Sequence, residues 1–144
     1  MMQEPDASRL RRHAAECENP PRIASPSNTF TVACHCGRIK FEVTGELRKV
    51  RDCNCSICGR AGYLHWYVEP GQVKLLTEKT SLTSYAWRHL SGFHHFCPIC
   101  GVAVLRSMVS LNQMRRLSVN ARCVEGIDLT TLEIEPYDGK QLLP

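Results

Sequence analysis

Long apolar runs are missing from this chain. Its apolar runs are short, VAVL at 102–105 among them, whereas a membrane-spanning helix needs roughly 20 consecutive apolar residues. No membrane association is therefore expected. The N-terminus also lacks the apolar stretch of a secretory signal. Arg9, Arg11 and Arg12 hint at a transit peptide, but Glu4, Asp6, Glu16 and Glu18 lie among them, and transit peptides are poor in acids. An intracellular, cytoplasmic protein in a reducing compartment is the expectation. Runs of positive charge are missing too. No Lys/Arg run exceeds a pair (Arg11-Arg12, Arg48-Lys49, Arg115-Arg116), and a nucleic-acid-binding face shows clustering. No internal repeat or low-complexity tract is present.

Cysteine, by contrast, is abundant: nine in 144 residues. An odd number without a secretion signal argues against a disulfide framework, and clustered intracellular cysteines are more often metal ligands. The formal net charge of +4 has to be read with that in mind. Seven metal-bound thiolates would subtract seven and two zinc ions would add four, which leaves about +1. The apolar content of 43% is ordinary for a globular domain, and the length suffices for one hydrophobic core.

Residues 1–29 hold four of the eight prolines and show neither helical period nor strand alternation, so they read as a flexible extension, with SRLRRHAAEC a possible short helix. The domain proper is expected over 30–140, with a short tail at 141–144. RIKFEVTG (38–45) alternates Ile39, Phe41 and Val43 with charged residues, the period of a half-buried strand. YLHWYV (63–68), QVKLLT (72–77) and LTSYAW (82–87) are rich in β-branched and aromatic residues, with a Glu69-Pro70-Gly71 turn between the first two. HHF (94–96) and VAVLRSM (102–108) flank a CPICG segment, and RRLSVNARCV (115–124) alternates again. Only segments near 57–61 and 129–132 look helical. The pattern predicts a mainly β domain, a small complex β-sandwich-like fold, with its cysteines at the turns.

Seven cysteines form three groups: Cys34 and Cys36 in ACHCG; Cys53, Cys55 and Cys58 in CNCSIC; Cys97 and Cys100 in FCPICG. Zinc takes thiolates in a tetrahedron, closed by four protein ligands when structural and left open at one place when catalytic. Cys34, Cys36, Cys97 and Cys100 suit the closed site, stapling the first strand to a later hairpin. Cys53, Cys55 and Cys58 suit a three-ligand site. Three alternatives stay open on spacing alone. A histidine (His35, His65, His94 or His95) completes the second site and makes it inert, or the groups pair differently, or disulfides form across all seven.

The three motifs CHCG (34–37), CNCSIC (53–58) and FCPICG (96–101), in that order, resemble the family of glutathione-dependent formaldehyde-activating enzymes and centromere protein V. SVNARCVEGIDLTTLEI (118–134) is similar to the family's C-terminal stretch. The resemblance covers roughly residues 30–140. It implies a β-sandwich-like fold with two zinc ions per chain, a structural one on Cys34, Cys36, Cys97 and Cys100 and a catalytic one on Cys53, Cys55 and Cys58. It also implies a carbon–sulfur lyase-type reaction joining glutathione and formaldehyde into S-hydroxymethylglutathione. One departure is local: the family often places a basic residue directly after the last tripod cysteine, whereas here Gly59 comes first and Arg60 second.

Three thiolates on Zn²⁺ leave a site charge of −1, which suits holding a substrate thiol as thiolate better than making hydroxide. Several other residues carry two readings each. Arg60 is a candidate for a glutathione carboxylate or a solvated cation. His65 is a proton relay or a packed strand residue. His94 and His95 are partners of a zinc-bound sulfur or one core and one solvent residue. Ser56 is expected to bond backbone or sulfur, Tyr85 and Trp87 to lie in the core, Cys123 to be a buried small hydrophobe at an inward strand position, and Cys17 to be a free thiol. Two functions follow: a zinc enzyme acting on glutathione and a small aldehyde, or a zinc-stapled protein-binding module without catalysis.

Overall fold

The computed structural model describes residues 28–86, 92–109 and 115–142; the SRLRRHAAEC segment, Cys17 and Trp87 lie outside them. The strands are β1 (Asn28–Ala33), β2 (Lys40–Gly45), β3 (Lys49–Cys53), β4 (Leu64–Val68), β5 (Val73–Leu75), β6 (Thr83–Ala86), β7 (Phe93–Phe96), β8 (Ala103–Val109), β9 (Arg115–Asn120) and β10 (Glu133–Tyr137), with helices α1 (Ser56–Ala61) and α2 (Gly139–Leu142). They build two sheets, a three-stranded one in the order β1-β2-β5 and a seven-stranded one in the order β10-β3-β4-β9-β8-β7-β6. The expected mainly β architecture is what the chain adopts. Among the described residues no helix is long and apolar enough to cross a membrane.

The alternation in β2 has the consequence its period demands. Phe41 and Val43 are fully buried while Thr44 is exposed, and β1 pairs antiparallel with this strand in register Val32↔Phe41. β4 is the central element. Leu64, Trp66 and Val68 enter the main core, where the Trp66 ring meets Phe30 edge-on at 5.4 Å and its Nε1 donates to the Glu46 carbonyl at 3.1 Å. The intervening His65 is buried as well, so β4 is covered on both faces. That second face carries the chemistry. Register places Arg51 beside His65 across β3–β4, Tyr67 beside Ser118 across β4–β9, and Ser118 beside Arg106 across β9–β8. Because opposed residues share a face, one side of the large sheet presents Cys53, Arg51, His65, Tyr67, Ser118 and Arg106 together.

The structure differs from the expected elements at several points. β1 begins at Asn28, before the expected domain boundary at residue 30. β9 stops at Asn120, whose side-chain oxygen accepts from the Arg122 amide and starts a 3₁₀ turn over Ala121–Cys123. Cys123 is therefore not a strand residue; it is half-buried, with its Sγ directed at the Ala103 carbonyl. The helical segment near 129–132 is a single 3₁₀ turn, Leu129–Thr131, capped by Asp128. Tyr85 is not a core residue: it is 52% exposed, because β6 is the outermost strand of the large sheet and every one of its residues faces solvent. β3 and β10 were not expected. They pair in parallel, and β10 tolerates Pro136 because it too is an edge strand.

Replacing Phe41 by Ala removes a fully buried ring and should cost about 3–5 kcal/mol in denaturant unfolding of the metal-loaded protein. Thr44→Ala on the exposed face of the same strand should stay within about 0.5 kcal/mol. Equal losses for the two would contradict this placement of the core.

Candidate metal centres and cavity

Two knuckles build the first cysteine cluster. After β1 the chain turns so that the Gly37 amide donates to the Cys34 carbonyl at 3.0 Å and the Ile39 amide to the Cys34 Sγ at 3.2 Å. Between β7 and β8 the Gly101 amide donates to the Cys97 carbonyl at 2.9 Å. Gly37 and Gly101 have φ of 75° and 76°, the left-handed conformation that glycine adopts at least cost. The knuckles bring Cys34, Cys36, Cys97 and Cys100 together, all four sulfurs within 4.8 Å of one another. Cys36 Sγ lies 3.6 Å from both Cys34 Sγ and Cys97 Sγ. The four are free thiols here, their sulfurs well beyond the roughly 2.05 Å of a disulfide bond, and the spacing matches the roughly 3.8 Å between sulfurs that stand 2.3 Å from a tetrahedral centre.

The electrostatics of this cluster also fit a cation. Amide donors from Val102 and Cys36 hold the Cys100 thiol down to about 6, and the Cys100 amide lowers Cys97. Against the Arg38 amide, desolvation and the neighbouring sulfurs of Cys97 and Cys34 push Cys36 up to about 11. Four sulfurs this close cannot all ionise beside one another unless a cation sits among them. The donors are of the kind that zinc takes in closed sites.

The second cluster is local. β3 ends at Cys53, Cys55 is the N-cap of α1, and Cys58 lies one turn into that helix. The Cys58 amide donates to Cys55 Sγ at 3.5 Å. All three cysteines are buried and their sulfurs lie within 4.8 Å of one another. Burial pushes the Cys53 and Cys58 thiols up; burial acts the same way on Cys55, but the Cys58 amide and the neighbouring sulfurs carry it below its usual range. Among the described residues the mutually close set stops at three. His65 touches it from one side, with Nε2 3.2 Å from Cys58 Sγ and Nδ1 2.7 Å from Ser118 Oγ. Burial, with Arg106, His94 and Arg51 nearby, depresses His65 to about 3, so the ring is neutral at ordinary pH. With a metal on the tripod, a Cys58 thiolate would need a donor, which would place the proton on Nε2 and leave Nδ1 accepting from the Ser118 hydroxyl.

The tripod faces a cavity of about 190 Å³ whose other walls are Arg51, His65, Tyr67, Arg106, Met108 and Tyr137. Arg51 lies between two rings, 5.5 Å from the centre of Tyr67 and 4.6 Å from that of Tyr137, and donates to Glu135 Oε2 at 3.3 Å. Arg51, His65 and Tyr67 also wall a second cavity of about 290 Å³ that runs on to Arg48 and Lys49. Two cations, a neutral imidazole and three sulfurs thus surround one small space. A sulfur ligand with an anionic body matches it in charge.

The other candidates sit elsewhere. Arg60 is exposed on the outer side of α1, its guanidinium donating to the Ser56 carbonyl at 2.8 Å, and it lines a hollow with Tyr85 rather than the tripod cavity. Ser56 offers that carbonyl. His35 is exposed. His95 bonds Ser84 Oγ at 2.7 Å and Ser107 Oγ at 2.8 Å. His94 is buried, and burial together with Arg106 and His95 depresses it to about 4. Sequence reasoning missed Arg51, Arg106 and Tyr137. Strand alternation back from Cys53 could have found Arg51, and a lone Arg within VAVLRSM could have marked Arg106. Nothing local marks Tyr137, which arrives through the parallel pairing Tyr137↔Cys53.

The two clusters should respond differently to loss of one sulfur. Cys100 belongs to the set that joins knuckles 61 residues apart, and a structural metal contributes folding free energy on the order of 10 kcal/mol, so Cys100→Ser should leave the chain unfolded or aggregated. Cys55→Ser opens only a six-residue tripod; it should keep its β circular dichroism and bind about one metal ion fewer. Equal unfolding of both variants would make the tripod structural, and a folded Cys55→Ser with undiminished metal would remove Cys55 from the site.

Comparison with known proteins adds to this geometry. A Rhodobacter sphaeroides protein of known crystal structure is 26% identical, with a TM-score of 0.61 over 74% of this chain and 97% of that one. A family model matches residues 29–134, a span that includes all seven clustered cysteines of this chain. With that match running over most of its length, the chain belongs to the glutathione-dependent formaldehyde-activating enzyme family.

Proposed function

We propose that this chain is a zinc-dependent carbon–sulfur lyase-type enzyme that joins or splits glutathione and formaldehyde, or a related small aldehyde, through S-hydroxymethylglutathione. The observation that carries the reading is the contrast between the clusters: four sulfurs close on one another in one, whereas three sulfurs face a cationic cavity in the other. Cys34, Cys36, Cys97 and Cys100 would hold a structural zinc and Cys53, Cys55 and Cys58 a catalytic one. Bound to the tripod, zinc would supply a place for a substrate sulfur as thiolate, the nucleophilic form.

The chain's own residues then do the rest. His65, fixed by Ser118, donates to Cys58 and keeps that sulfur an ionised, oriented ligand. Arg51 and Arg106 offset the negative charge that a fourth sulfur brings into a small, partly dry space. Neither cavity alone reaches the roughly 300 Å³ usual for a small-molecule site; Arg51, His65 and Tyr67 line both. The sulfur end would enter at the tripod and the remainder would extend into the second cavity, where Arg48 and Lys49 stand beside Glu46 and Glu135. In the reaction the sulfur forms a bond to the aldehyde carbon, the C=O π bond breaks, and the proton that left the thiol ends on the hydroxymethyl oxygen. Holding the two reactants together supplies most of the acceleration.

Nucleic acid is not the proposed partner. Lys49 pairs with Glu133 at 3.3 Å and Arg51 with Glu135 at 3.3 Å, so acids are interleaved with the cations of this face, and a non-catalytic role would rest on a protein partner instead.

The test is exchange between formaldehyde, glutathione and their adduct, followed by NMR against the spontaneous reaction. The metal-loaded protein should accelerate exchange. Arg51→Ala should raise KM about 10-fold while changing kcat little. No acceleration by a protein carrying two metal ions would leave the protein-binding module as the reading.

A further inference from the structure

The residue between the first two tripod cysteines does not face solvent idly. Asn54 Nδ2 donates to Asp138 Oδ1 at 2.9 Å, its Oδ1 accepts from the Lys140 amide at 2.8 Å, and its own amide donates to the Tyr137 carbonyl at 3.1 Å. Three bonds from one residue fasten the segment Tyr137–Leu142 across the tripod. Within that segment Gly139 lies so close that a Cβ there would stand 2.4 Å from Cys53 Sγ, inside any real contact distance, and a tight 3.0 Å from Cys55 Cβ. Tyr137 packs against the tripod cluster and walls its cavity. Asp138 also accepts from the Gln141 amide at 3.3 Å, which sets the first turn of α2. The family match ends at residue 134, so this strap lies beyond the region the chain shares with the family model.

We propose that the C-terminal strap, latched by Asn54, is the positioning element of the three-cysteine site. It forms the back wall that holds Cys53 and Cys55 at their spacing, with Asn54 and Gly139 as its two specific contacts. Cys53 and Cys55 lie at the end of a strand and the start of a helix, joined by Asn54 alone, and a C-x-C link of this kind is free to splay unless something closes behind it. The latch ties that link to backbone 86 residues away, and the glycine lets the strap approach to van der Waals contact. Asn54 touches neither substrate nor sulfur; it acts through the segment it holds. The inference rests on the tripod binding a metal and on no other part of the proposed reaction.

The experiment uses the full chain loaded with Zn²⁺ and challenged with a chromogenic chelator, without thiol or aldehyde. The wild type should release its two ions in separate phases. Asn54→Ala should speed release from the tripod about 10–100-fold, the range seen when partners of metal ligands are removed, and leave the four-cysteine phase and the circular dichroism unchanged. Gly139→Ala should do the same, since the added Cβ displaces Cys53. The exchange Asn54→Asp with Asp138→Asn keeps an acceptor for the Lys140 amide and a donor–acceptor pair between the side chains, though it gives up the Asp138 acceptor of the Gln141 amide, so it should restore slow release in large part. Release from Asn54→Ala at the wild-type rate, equal loosening of both sites, or failure of the exchange to restore would each overturn the proposal. Because no substrate is present, the result stands apart from whether the protein accelerates any reaction.

Discussion

Four sulfurs drawn from two distant knuckles converge at one point of this domain, where a metal ion would staple it. Cys34 and Cys36 follow β1 of the small sheet, and Cys97 and Cys100 sit between β7 and β8 of the large one. Their convergence pins one sheet to the other at a single point. Fixing that point reduces the loop entropy of the intervening chain, which grows only slowly with loop length, and leaves the apolar layer of Phe41, Trp66 and Val119 to do the remaining packing. Within the cluster the sulfurs repel one another once ionised, so a cation at the centre turns a destabilising feature into a staple.

With the sheets pinned, β4 can be buried on both faces. One face supplies Leu64, Trp66 and Val68 to the core; the other supplies His65 to the tripod. The fold thereby separates stability from chemistry across the thickness of one sheet. Two buried polar residues on the second face are well bonded: His65 is held at both nitrogens, and Tyr63 donates its hydroxyl to the Ser118 carbonyl. Satisfied buried polar groups of this kind give a rigid frame, and a rigid frame is what three short-range ligands need. The Arg51 guanidinium between Tyr67 and Tyr137 extends that frame to the mouth of the cavity.

Much of this was legible in the sequence, and the reasons are specific. Cysteine spacing marked both clusters, because C-x-C and C-x-x-C turns are local. Alternation marked β2, because its buried residues are apolar, and β-branched and aromatic composition marked β4. β10 left no such mark: its outward Ile134 is 46% exposed and its Pro136 reads as a breaker. β3 was hidden because Val50 is its one apolar residue, set among Lys49, Arg51 and Asp52. The contacts that complete the candidate site, Tyr137 on Arg51 and Gly139 on Cys53, come from this parallel pair across more than 80 residues, a pairing no local period encodes. Arg60 illustrates the opposite error. It is close to the tripod in sequence, but a helix turns it outward.

The central claim is that one zinc is closed by protein sulfur and the other keeps a place for a substrate sulfur. Zinc X-ray absorption tests it directly. Four cysteines at one site and three at the other give a mean of about 3.5 sulfurs per zinc, with a light atom making up the tetrahedron. Saturating glutathione should raise that mean to about 4 and remove the light-atom shell. A mean that stays at about 3.5 with glutathione present, or that retains a histidine nitrogen at the second zinc, would contradict the account.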